Sequence, residues 1–504
     1  MKSAGTAAVR TARSLADGIL AQARRSPQAT ALLWREQEIG YGALLRRAEQ
    51  ERARLARIPA GSPLGVPAVK SPAVVALVLA ALLERRPVLL PSPQLGAEVT
   101  QRLYAQAGVE HVLSPLDTPF DESAPAGRFA DAAPPAEGAT ALLLTTSGST
   151  GTPKIVPLRA GALDRFTRWA ADSFGIGPGT TVLNYAPLNF DLCLLDVWTT
   201  LAHGGRVVLA DTDRATQGGY LLDLVLRHRP EIVQAVPLFY RLLADAARER
   251  GDAAVPGVRH ALFTGDALPA PLRAELPALL PGARLYNLYG CTETNDSFLY
   301  ELTGGEDPAL PLPLGSPLPG AGALLVDAEH GVLEGPGTGE LYVTTPFQTE
   351  GYLGYLGAVA APAVFTDHPA GADGRRWFRS GDLVTRSGDG TLRLAGRTDF
   401  QVKVRGVRIN PQETEHVLLE HPGVLEAAVL ALPDPVAGRL LHAVARRAPG
   451  SGLNSLTLRG HLARGLPRAA VPSVLRITDG PLPRTSTGKV DRDQVARTHF
   501  TKEN

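Results

Sequence analysis

The chain of 504 residues is long enough for two or more domains with substantial cores. Charged residues make up 20% of it and the net charge is +1, which gives no electrostatic reason to expect nucleic-acid or anionic-membrane binding. Two cysteines, Cys193 and Cys291, are too few for a disulfide framework or a cysteine metal cluster, and they fit a reducing cytoplasm.

Apolar runs along the chain are short. The longest, from Val74 to Leu83, is too short to span a bilayer and ends at charged residues. The N-terminal residues contain no continuous apolar segment of the signal-peptide type. We therefore expect a cytoplasmic protein that does not enter the membrane.

The central third of the chain alternates strand-like and helix-like segments. Strands are predicted at 181–185, 205–210, 231–236, 260–264 and 284–288. Helices are predicted at 191–201, 220–227 and 238–248. This alternation predicts an α/β fold with a mostly parallel sheet covered by helices on both faces. Ligands of such sheets collect at the loops beyond the carboxyl ends of the strands.

From about Gly331 onward, the pattern changes to short β segments separated by glycine turns. After residue 400, a strand, a helix at 411–419 and two further strands are predicted. We place a domain boundary between residues 398 and 399. Residues 1–398 are predicted to form a large N-terminal domain of mostly parallel sheets and helices plus a β-rich part. Residues 399–504 are predicted to form a small, mobile α+β domain.

The first segment with chemical potential is LLLTTSGSTGTPK at 142–154, where an apolar strand enters a loop with glycines, hydroxyls and a lysine. Glycine lets backbone N–H groups approach phosphate oxygens, and hydroxyls and lysine add donors. The spacing of a Walker A loop is absent. The alternative is a polar surface turn. The candidate phosphate-binding residues are Thr146, Ser147, Gly148, Ser149, Thr150, Gly151 and Lys154.

The second segment, NLYGCTETN at 287–295, follows a predicted strand and offers an aromatic plane, two hydroxyls and a carboxylate. Its carboxylate, Glu293, suits Mg²⁺, which prefers oxygen ligands and phosphate partners. The alternative is a strand-to-loop turn with exposed polar groups.

Two further segments complete the set. In RSGDL at 379–383, the Asp382 carboxylate can accept hydrogen bonds from both ribose hydroxyls, although Ser-Gly-Asp is also common turn chemistry. In PRTSTGKVDR at 483–492, Lys489 follows a glycine on a predicted loop, and the alternative is an exposed basic tail.

Together and in this order, the four segments closely resemble the adenylate-forming superfamily of acyl-CoA synthetases, luciferases and the adenylation domains of nonribosomal peptide synthetases. The resemblance covers about residues 25–495. The segments FDLC at 190–193 and GRTDFQVKVRGVRIN at 396–410 resemble the peptide-synthetase branch. The resemblance implies an enzyme that makes an acyl-AMP from ATP, rotates its small domain and transfers the acyl group to a thiol.

The resemblance also assigns expected roles. Lys489 would bridge the substrate carboxylate and the α-phosphate, where it and Mg²⁺ would reduce the repulsion between the reactants. Thr292 would contact the α-phosphate, and Glu293 would hold Mg²⁺. Lys403 would face the site during thiol transfer, its alternative being an exposed strand lysine, and Asp399 would be the hinge. The expected adenosine contacts are Gly265, Asp266, Ala267, Asn287, Leu288, Tyr289, Gly290, Asp382 and Arg397.

Asp191 occupies the position that pairs with the substrate ammonium in amino-acid-activating members. A buried carboxylate needs such a partner, whereas the alternative is an N-cap of the following helix. Asp296 adds a second carboxylate, which would suit an amine placed differently from an α-amine. The remaining pocket positions predict a mostly apolar pocket with some polar features: Leu192, Leu195, Gln234, Leu262, Thr264, Leu288, Cys291 and Ser297.

The combined pattern most resembles free-standing enzymes that load β-amino acids for macrolactam polyketides. Alternatives are D-alanyl or L-prolyl carrier-protein ligases, an acyl-CoA synthetase for an acid without an amine, and a catalytically silent nucleotide-binding scaffold. No Gly-Gly-x-Ser phosphopantetheine site follows Lys489. We therefore expect a small amino acid substrate and, as acceptor, the phosphopantetheine arm of a separate carrier protein.

Overall fold

A computed structural model describes most of the chain. The described ranges are 14–120, 135–146, 153–251, 254–329, 331–354, 359–360, 364–371, 373–398, 402–405, 407–434, 436–448, 450–483 and 490–500. Seven residues with predicted roles lie outside these ranges: Ser147, Gly148, Ser149, Thr150, Gly151, Asp399 and Lys489.

The helices and strands follow one another closely along the chain. The helices are α1 (Leu15–Arg25), α2 (Tyr41–Leu55), α3 (Pro72–Leu83), α4 (Ala97–Ala107), α5 (Ala160–Phe174), α6 (Thr200–Ala202), α7 (Gly218–His228), α8 (Pro237–Arg250), α9 (Ala270–Leu279), α10 (Pro411–Leu419), α11 (Ser455–Gly465) and α12 (Arg492–His499). The strands up to the middle of the chain are β1 (Thr30–Trp34), β2 (Gln37–Gly40), β3 (Leu64–Gly65), β4 (Val88–Leu89), β5 (His111–Val112), β6 (Thr140–Thr146), β7 (Lys154–Arg159), β8 (Thr181–Asn184), β9 (Arg206–Leu209), β10 (Ile232–Ala235), β11 (His260–Phe263), β12 (Arg284–Cys291) and β13 (Asn295–Glu301). The later strands are β14 (Ser316–Pro317), β15 (Gly322–Val326), β16 (Gly337–Thr344), β17 (Tyr352–Leu353), β18 (Val359–Ala360), β19 (Phe365–Thr366), β20 (Trp377–Arg386), β21 (Leu392–Arg397), β22 (Val402–Val404), β23 (Val407–Ile409), β24 (Val424–Asp434), β25 (Gly438–Arg447) and β26 (Val474–Thr478).

The largest sheet has the strand order β14-β13-β12-β11-β10-β8-β9-β1-β2. Its central neighbours, from β12 to β1, are parallel, and the outer pairs are antiparallel. The apolar side chains of β8, β10 and β11 alternate between two core clusters, because successive residues of a strand point to opposite faces. The predicted α/β fold is confirmed.

A second sheet has the order β5-β3-β4-β6-β7. Its last two strands form an antiparallel pair in which Thr146 lies opposite Lys154. The apolar run between β3 and β4 of this sheet is the buried core helix α3, which Ser71 caps through its side chain. Among the described residues, no helix is long and apolar enough to cross a membrane.

The β-rich part is a sheet of order β15-β16-β20-β19, with β21 paired to the other side of β20. The pairing places Asp382 of β20 directly opposite Arg397 of β21. This register brings together two residues that lie 15 positions apart in the sequence.

The C-terminal part contains the β22–β23 hairpin and the sheet β24-β25-β26, with α10 and α11 packed against it. In the described ranges, no core cluster combines residues from before 398 with residues from after it. We therefore propose that the chain divides into domains between residues 398 and 399.

Candidate functional site

The candidate site lies where β8, β10, β11 and β12 end. Asn184, Gln234 and Leu262 are direct neighbours across three parallel strands, so their side chains share one face of the sheet. The segment predicted as a strand and then a loop at 287–295 is instead a hairpin. Asn287, Leu288, Tyr289, Gly290 and Cys291 all belong to β12, and the chain returns as β13.

Gly290 and Asn295 make this tight hairpin possible. A Cβ built on Gly290 would lie 2.3 Å from the Asn295 carbonyl oxygen, so a larger residue would force the strands apart. Asn295 has a φ of 58°, a left-handed conformation that asparagine tolerates better than most residues. The turn holds Thr292 and Glu293 at the end of the sheet.

Three residues predicted to bind adenosine meet in a buried hydrogen-bond network. The Tyr289 hydroxyl donates to Asp382 Oδ2, and the Arg397 guanidinium donates to Asp382 Oδ1. Arg397 also donates to the Ser380 carbonyl oxygen at 3.1 Å. Burial and the charge of Asp382 raise the pKa of Tyr289, so its hydroxyl stays protonated as a donor. The network holds the Asp382 carboxylate in one orientation.

The other residues predicted near adenosine are arranged around this network. Gly265 has a φ of 81° and turns the chain after β11, and Asp266 accepts a hydrogen bond from the Ala267 N–H at 2.8 Å. The Asn287 side chain donates to the Pro313 carbonyl oxygen at 2.8 Å, a partner that no sequence motif indicated. Leu288 lies in the main apolar core with Leu195 and Leu262, which places its side chain with the predicted substrate positions.

Glu293 is buried and only half satisfied. Its Oε1 accepts a hydrogen bond from the Tyr352 hydroxyl at 2.7 Å, whereas its Oε2 is buried and has no hydrogen-bond partner among the described residues. Lys154 Nζ lies 4.7 Å from the centroid of the Tyr352 ring, and the Thr146 hydroxyl is also buried without a described partner. A buried carboxylate oxygen without a partner is costly, so Glu293 Oε2 fits a cation ligand. The contact of Tyr352 with Glu293 was not predicted from the sequence, because Tyr352 lies in no recognisable motif.

Asp191 contacts the same hairpin. The Thr292 side chain and the backbone N–H of Leu192 lie close to its carboxylate. Burial raises the pKa of Asp191, and the charge of Glu293 adds to this rise. The helix that follows begins only at Leu194 and has Cys193 as its N-cap without a side-chain hydrogen bond. The structure therefore gives no support to the interpretation of Asp191 as a helix cap.

That helix is a π-helix, Leu194–Thr199, where an α-helix was predicted. The Thr199 and Thr200 hydroxyls donate to the Leu194 and Leu195 carbonyl oxygens at 2.7 and 3.2 Å. Single π turns occur often at functional sites. Here the wide turn contains Asp196, which is completely buried within an otherwise apolar segment.

Asp196 belongs to a polar cluster that the motifs did not indicate. Its Oδ2 accepts a hydrogen bond from Asn184 Nδ2 at 3.2 Å. Lys70 Nζ donates to the carbonyl oxygens of Asn184 and Tyr185 at 3.3 and 2.9 Å. Burial raises the pKa of Asp196, and the charge of Asp296 adds to it. A lone acid inside an apolar helical segment was the sequence signal available for Asp196.

The other predicted substrate positions comprise an apolar group, a polar pair and three separate residues. Leu195, Leu262 and Leu288 share one apolar cluster, and Cys291 packs against it. Gln234 and Asp296 are buried, and each has one side-chain oxygen without a described partner. The remaining three differ: Leu192 lines the cavity described next, the buried Thr264 N–H donates to the Ala235 carbonyl oxygen, and the Ser297 hydroxyl bonds to Thr294 within the hairpin.

A cavity of about 630 Å³ extends from the site to the C-terminal part of the chain. Its N-terminal walls include Tyr185, Leu192 and Gly265. The C-terminal part contributes Arg405, Val407, Pro467 and Ala469.

The C-terminal part also contacts the turn after β11. Burial raises the pKa of Asp266, and the nearby charges of Lys403 and Arg439 oppose that rise. A Cβ built on Gly438 would lie 3.6 Å from Asp266 Oδ2. Lys403 therefore lies on the side of the C-terminal part that faces the site.

Comparison with known proteins agrees with this geometry. A family described as AMP-binding enzyme matches residues 19–353, and its C-terminal domain matches residues 413–489. An L-proline--[L-prolyl-carrier protein] ligase of Streptomyces coelicolor is 38% identical over 70% of this chain, and the match spans 65% of that ligase, less than two thirds of its length. The corresponding ligase of Pseudomonas fluorescens is 33% identical over 71% of this chain and 68% of its own length.

Solved structures share the fold over nearly the whole chain. Holo-PA1221, an NRPS protein containing adenylation and PCP domains, has a TM-score of 0.81 and 25% identity over 96% of this chain and 84% of its own. The adenylation domain AlmE of Vibrio cholerae, solved with glycyl-adenosine-5'-phosphate, has a TM-score of 0.80 and 19% identity over 96% of this chain and 97% of its own, and supports the fold alone. With the family match over 19–353, these findings show that the chain belongs to the AMP-binding enzyme family of adenylate-forming ligases.

Proposed function

We propose that this protein uses ATP to adenylate an amino acid and then transfers the aminoacyl group to the phosphopantetheine thiol of a separate carrier protein. The observation that carries the proposal is the contact between Asp191 and Thr292, next to Glu293. It joins a carboxylate suited to an ammonium group to a hydroxyl and a carboxylate suited to the α-phosphate and Mg²⁺. The similarity to two L-proline carrier-protein ligases supports the same reaction.

In this mechanism, the protein aligns two anions that repel each other. Asp382, whose orientation is fixed by hydrogen bonds from Tyr289 and Arg397, accepts hydrogen bonds from the ribose hydroxyls. The glycine-rich loop after Thr146 binds the β- and γ-phosphates, and Thr292 binds the α-phosphate. Lys489 contacts both the substrate carboxylate and the α-phosphate, where its charge stabilises the bridging oxygens as pyrophosphate leaves. Alignment of the two reactants supplies much of the remaining acceleration.

Mg²⁺ would be held by Glu293, whose buried Oε2 has no partner in the described part of the chain and fits a hard cation. When bound, Mg²⁺ neutralises phosphate charge and so lowers the electrostatic barrier to attack by the carboxylate. The Tyr352 hydroxyl donates to Oε1, the other Glu293 carboxylate oxygen, and so leaves Oε2 available to the ion.

The favoured substrate class is a β-amino acid, with Asp191 as the partner of its ammonium group. Two carboxylates, Asp191 and Asp296, lie near each other in the pocket, and burial together with the charge of Asp191 raises the pKa of Asp296. An amine one carbon farther from the carboxylate than an α-amine would approach both. An α-amino acid such as proline is the alternative that the relatives support.

For the second step, we propose that the cavity between the two parts of the chain admits the phosphopantetheine arm. Arg405, Val407 and Pro467 of the small domain line it together with Leu192 of the substrate pocket. Lys403, near Asp266, would face the site in this orientation, and Asp399 would be the hinge about which the small domain turns between the two steps.

The experiment that tests the proposed function is ATP–pyrophosphate exchange with α-amino acids, β-amino acids and amine-free acids. We expect exchange only with acids that carry an amine. Because a buried charged pair loses roughly 2–5 kcal/mol when one partner is removed, Asp191→Asn should lower kcat/KM for the amino acid about 100-fold. Asp223→Asn, the same change on an exposed helix position, is the control.

A second candidate, an acyl-CoA synthetase for an amine-free acid, is favoured by one observation. A malonyl-CoA ligase structure shares the fold with a TM-score of 0.75 and 27% identity over 91% of this chain and 97% of its own. Exchange confined to amine-free acids, followed by transfer to coenzyme A rather than to a holo carrier protein, would contradict the amino acid assignment.

A further inference from the structure

Three aspartates lie near one another at the proposed substrate pocket: Asp196 and Asp296 are buried, and Asp191 is partly buried. Asp191 lies before the π-helix, Asp196 lies within it, and Asp296 lies on β13. The charge of Asp191 adds to the burial that raises the pKa of Asp296, and the charge of Asp296 acts in the same direction on Asp196. Asp296 therefore lies within electrostatic range of both other carboxylates.

Burial raises the pKa of Asp196 and of Asp296, so ionisation of either group is unfavourable until a cation pairs with it. In the described part of the chain, Lys70 is a cation whose charge favours the ionised form of Asp196. Burial lowers the pKa of Lys70 to about 8, which leaves it mostly protonated at neutral pH. Lys70 therefore offsets the charge of at most one of these carboxylates.

The same end of the pocket contains hydrogen-bond acceptors without donors. Among the described residues, Asp196 Oδ1, Asp296 Oδ2 and Gln234 Oε1 are buried and have no partner. Gln234 is 2% exposed and lies beside Asn184, which itself donates to Asp196. Because buried acceptors are normally satisfied, a set composed only of acceptors indicates a ligand that donates hydrogen bonds.

The surrounding walls are apolar. Leu195 and Leu262 belong to the same buried cluster, and Leu288 completes it on β12. An aliphatic segment of a substrate that reached from Asp191 toward these acceptors would contact this apolar cluster.

We propose that the substrate is a diamino acid, with one ammonium group at Asp191 and a second basic nitrogen that donates to Asp296 and Gln234. This inference rests on the proposed amino acid adenylation and specifies its substrate class. Each substrate ammonium stabilises the ionised form of the carboxylate with which it pairs. The second nitrogen also satisfies acceptors that a substrate with a single amine leaves unpaired.

The test is ATP–pyrophosphate exchange with matched pairs that differ only in the terminal nitrogen. The pairs are 2,4-diaminobutyrate with 2-aminobutyrate, ornithine with norvaline, and 3,6-diaminohexanoate with 3-aminohexanoate. For at least one pair, we expect kcat/KM to be ten or more times higher for the diamino acid, about the effect of one hydrogen bond to a charged group. The first two pairs test α-amines and the third tests a β-amine.

Asp296→Asn should lower the diamino-to-monoamino ratio of kcat/KM at least tenfold, because it removes the charge that the second nitrogen needs. Gln234→Leu should lower the same ratio less, and it serves as the second variant if Asp296→Asn does not fold. The surface variant Asp223→Asn should keep the wild-type ratio.

The outcomes separate the two proposals. Exchange with monoamino acids at rates equal to their diamino partners would overturn the diamino assignment and leave amino acid adenylation intact. A wild-type ratio in both Asp296→Asn and Gln234→Leu would also overturn it. Exchange with no amine-bearing acid would overturn the proposed function itself.

Discussion

The two ends of the candidate site differ in how their buried carboxylates are paired. At the nucleotide end, both oxygens of Asp382 have protein donors, Tyr289 and Arg397. At the substrate end, Asp196 and Asp296 each keep one buried oxygen without a described donor. The orientation of Asp382 is fixed before any ligand binds. We propose that Asp196 and Asp296 have all their hydrogen-bond partners only when a ligand supplies the missing donors and charge.

This difference separates two uses of a buried charge. A paired carboxylate loses little conformational freedom when a ligand binds, because its orientation is already fixed by the protein. An unpaired one destabilises the unliganded protein and returns that free energy to the ligand that satisfies it. The nucleotide end thus favours rigid positioning, and the substrate end favours discrimination among substrates.

The largest expected effect concerns Lys489, which we propose to bridge the substrate carboxylate and the α-phosphate. Lys489→Ala should lower the rate of adenylate formation by roughly 10²–10³-fold, the usual effect of removing a group that stabilises developing charge. Transfer from a supplied aminoacyl-adenylate to a holo carrier protein should fall less than about tenfold, since no phosphate bond is then broken. Single-turnover measurements of each step give both values, and an equal loss in both steps would contradict the assigned role.

A smaller effect is expected at the nucleotide end from Tyr289→Phe. The ring and its packing remain, but Asp382 loses one of its donors, which is worth about 1.5–3 kcal/mol for a charged acceptor. The KM for ATP should rise roughly tenfold, and the melting temperature should fall, while the KM for the amino acid stays near its wild-type value. Steady-state kinetics with each substrate varied in turn checks this, and a change confined to the amino acid would contradict it.

The smallest expected effect is at the substrate end, where a substitution should raise the melting temperature rather than lower it. Burial and the charge of Asp191 raise the pKa of Asp296 above its unfolded value, so the stability that Asp296 contributes is complete at low pH and is lost as the pH rises. Asp296→Asn should therefore raise the melting temperature of the unliganded protein by about 1–3 °C at neutral pH.

Thermal unfolding of the two proteins at about pH 5 and about pH 8 tests this sign. The difference between the variant and the wild type should be larger at the higher pH. A variant less stable than the wild type at both values would show that Asp296 is satisfied within the protein.

The sequence predicted most of the fold because the strands that position the site are short, apolar and separated by helices. The predicted strands at 231–236 and 260–264 correspond to β10 and β11 within one residue at each end. The helix at 411–419 matches α10, where Asn410 supplies a side-chain cap and Pro411 begins the first turn. Local capping and periodicity determine these elements, so they can be predicted without tertiary structure.

The features that the sequence did not reveal depend on contacts between distant segments. Tyr352 reaches Glu293 across 59 positions, and Lys70 reaches the carbonyl of Tyr185 across 115. In the hairpin at 284–301, the sequence predicted only the first strand, as far as Leu288. The second strand was not predicted, because it begins at Asn295, whose left-handed backbone has no clear local signal. Motifs name residues that ligands select, whereas the residues that support them follow only from the packed chain.

The π-helix Leu194–Thr199 has a consequence for redesigning this pocket. Its hydrogen bonds run from residue i+5 to residue i, so each turn contains about one residue more than an α-helical turn. Deletion of a single residue within it would restore α-helical winding and rotate the side chains that follow by roughly a third of a turn. If Leu195 and Asp196 were replaced by the residues of a relative with an α-helix here, the new side chains would therefore point in different directions from those in the relative. Changing the acid that this enzyme selects requires the winding of the helix to be exchanged together with its side chains.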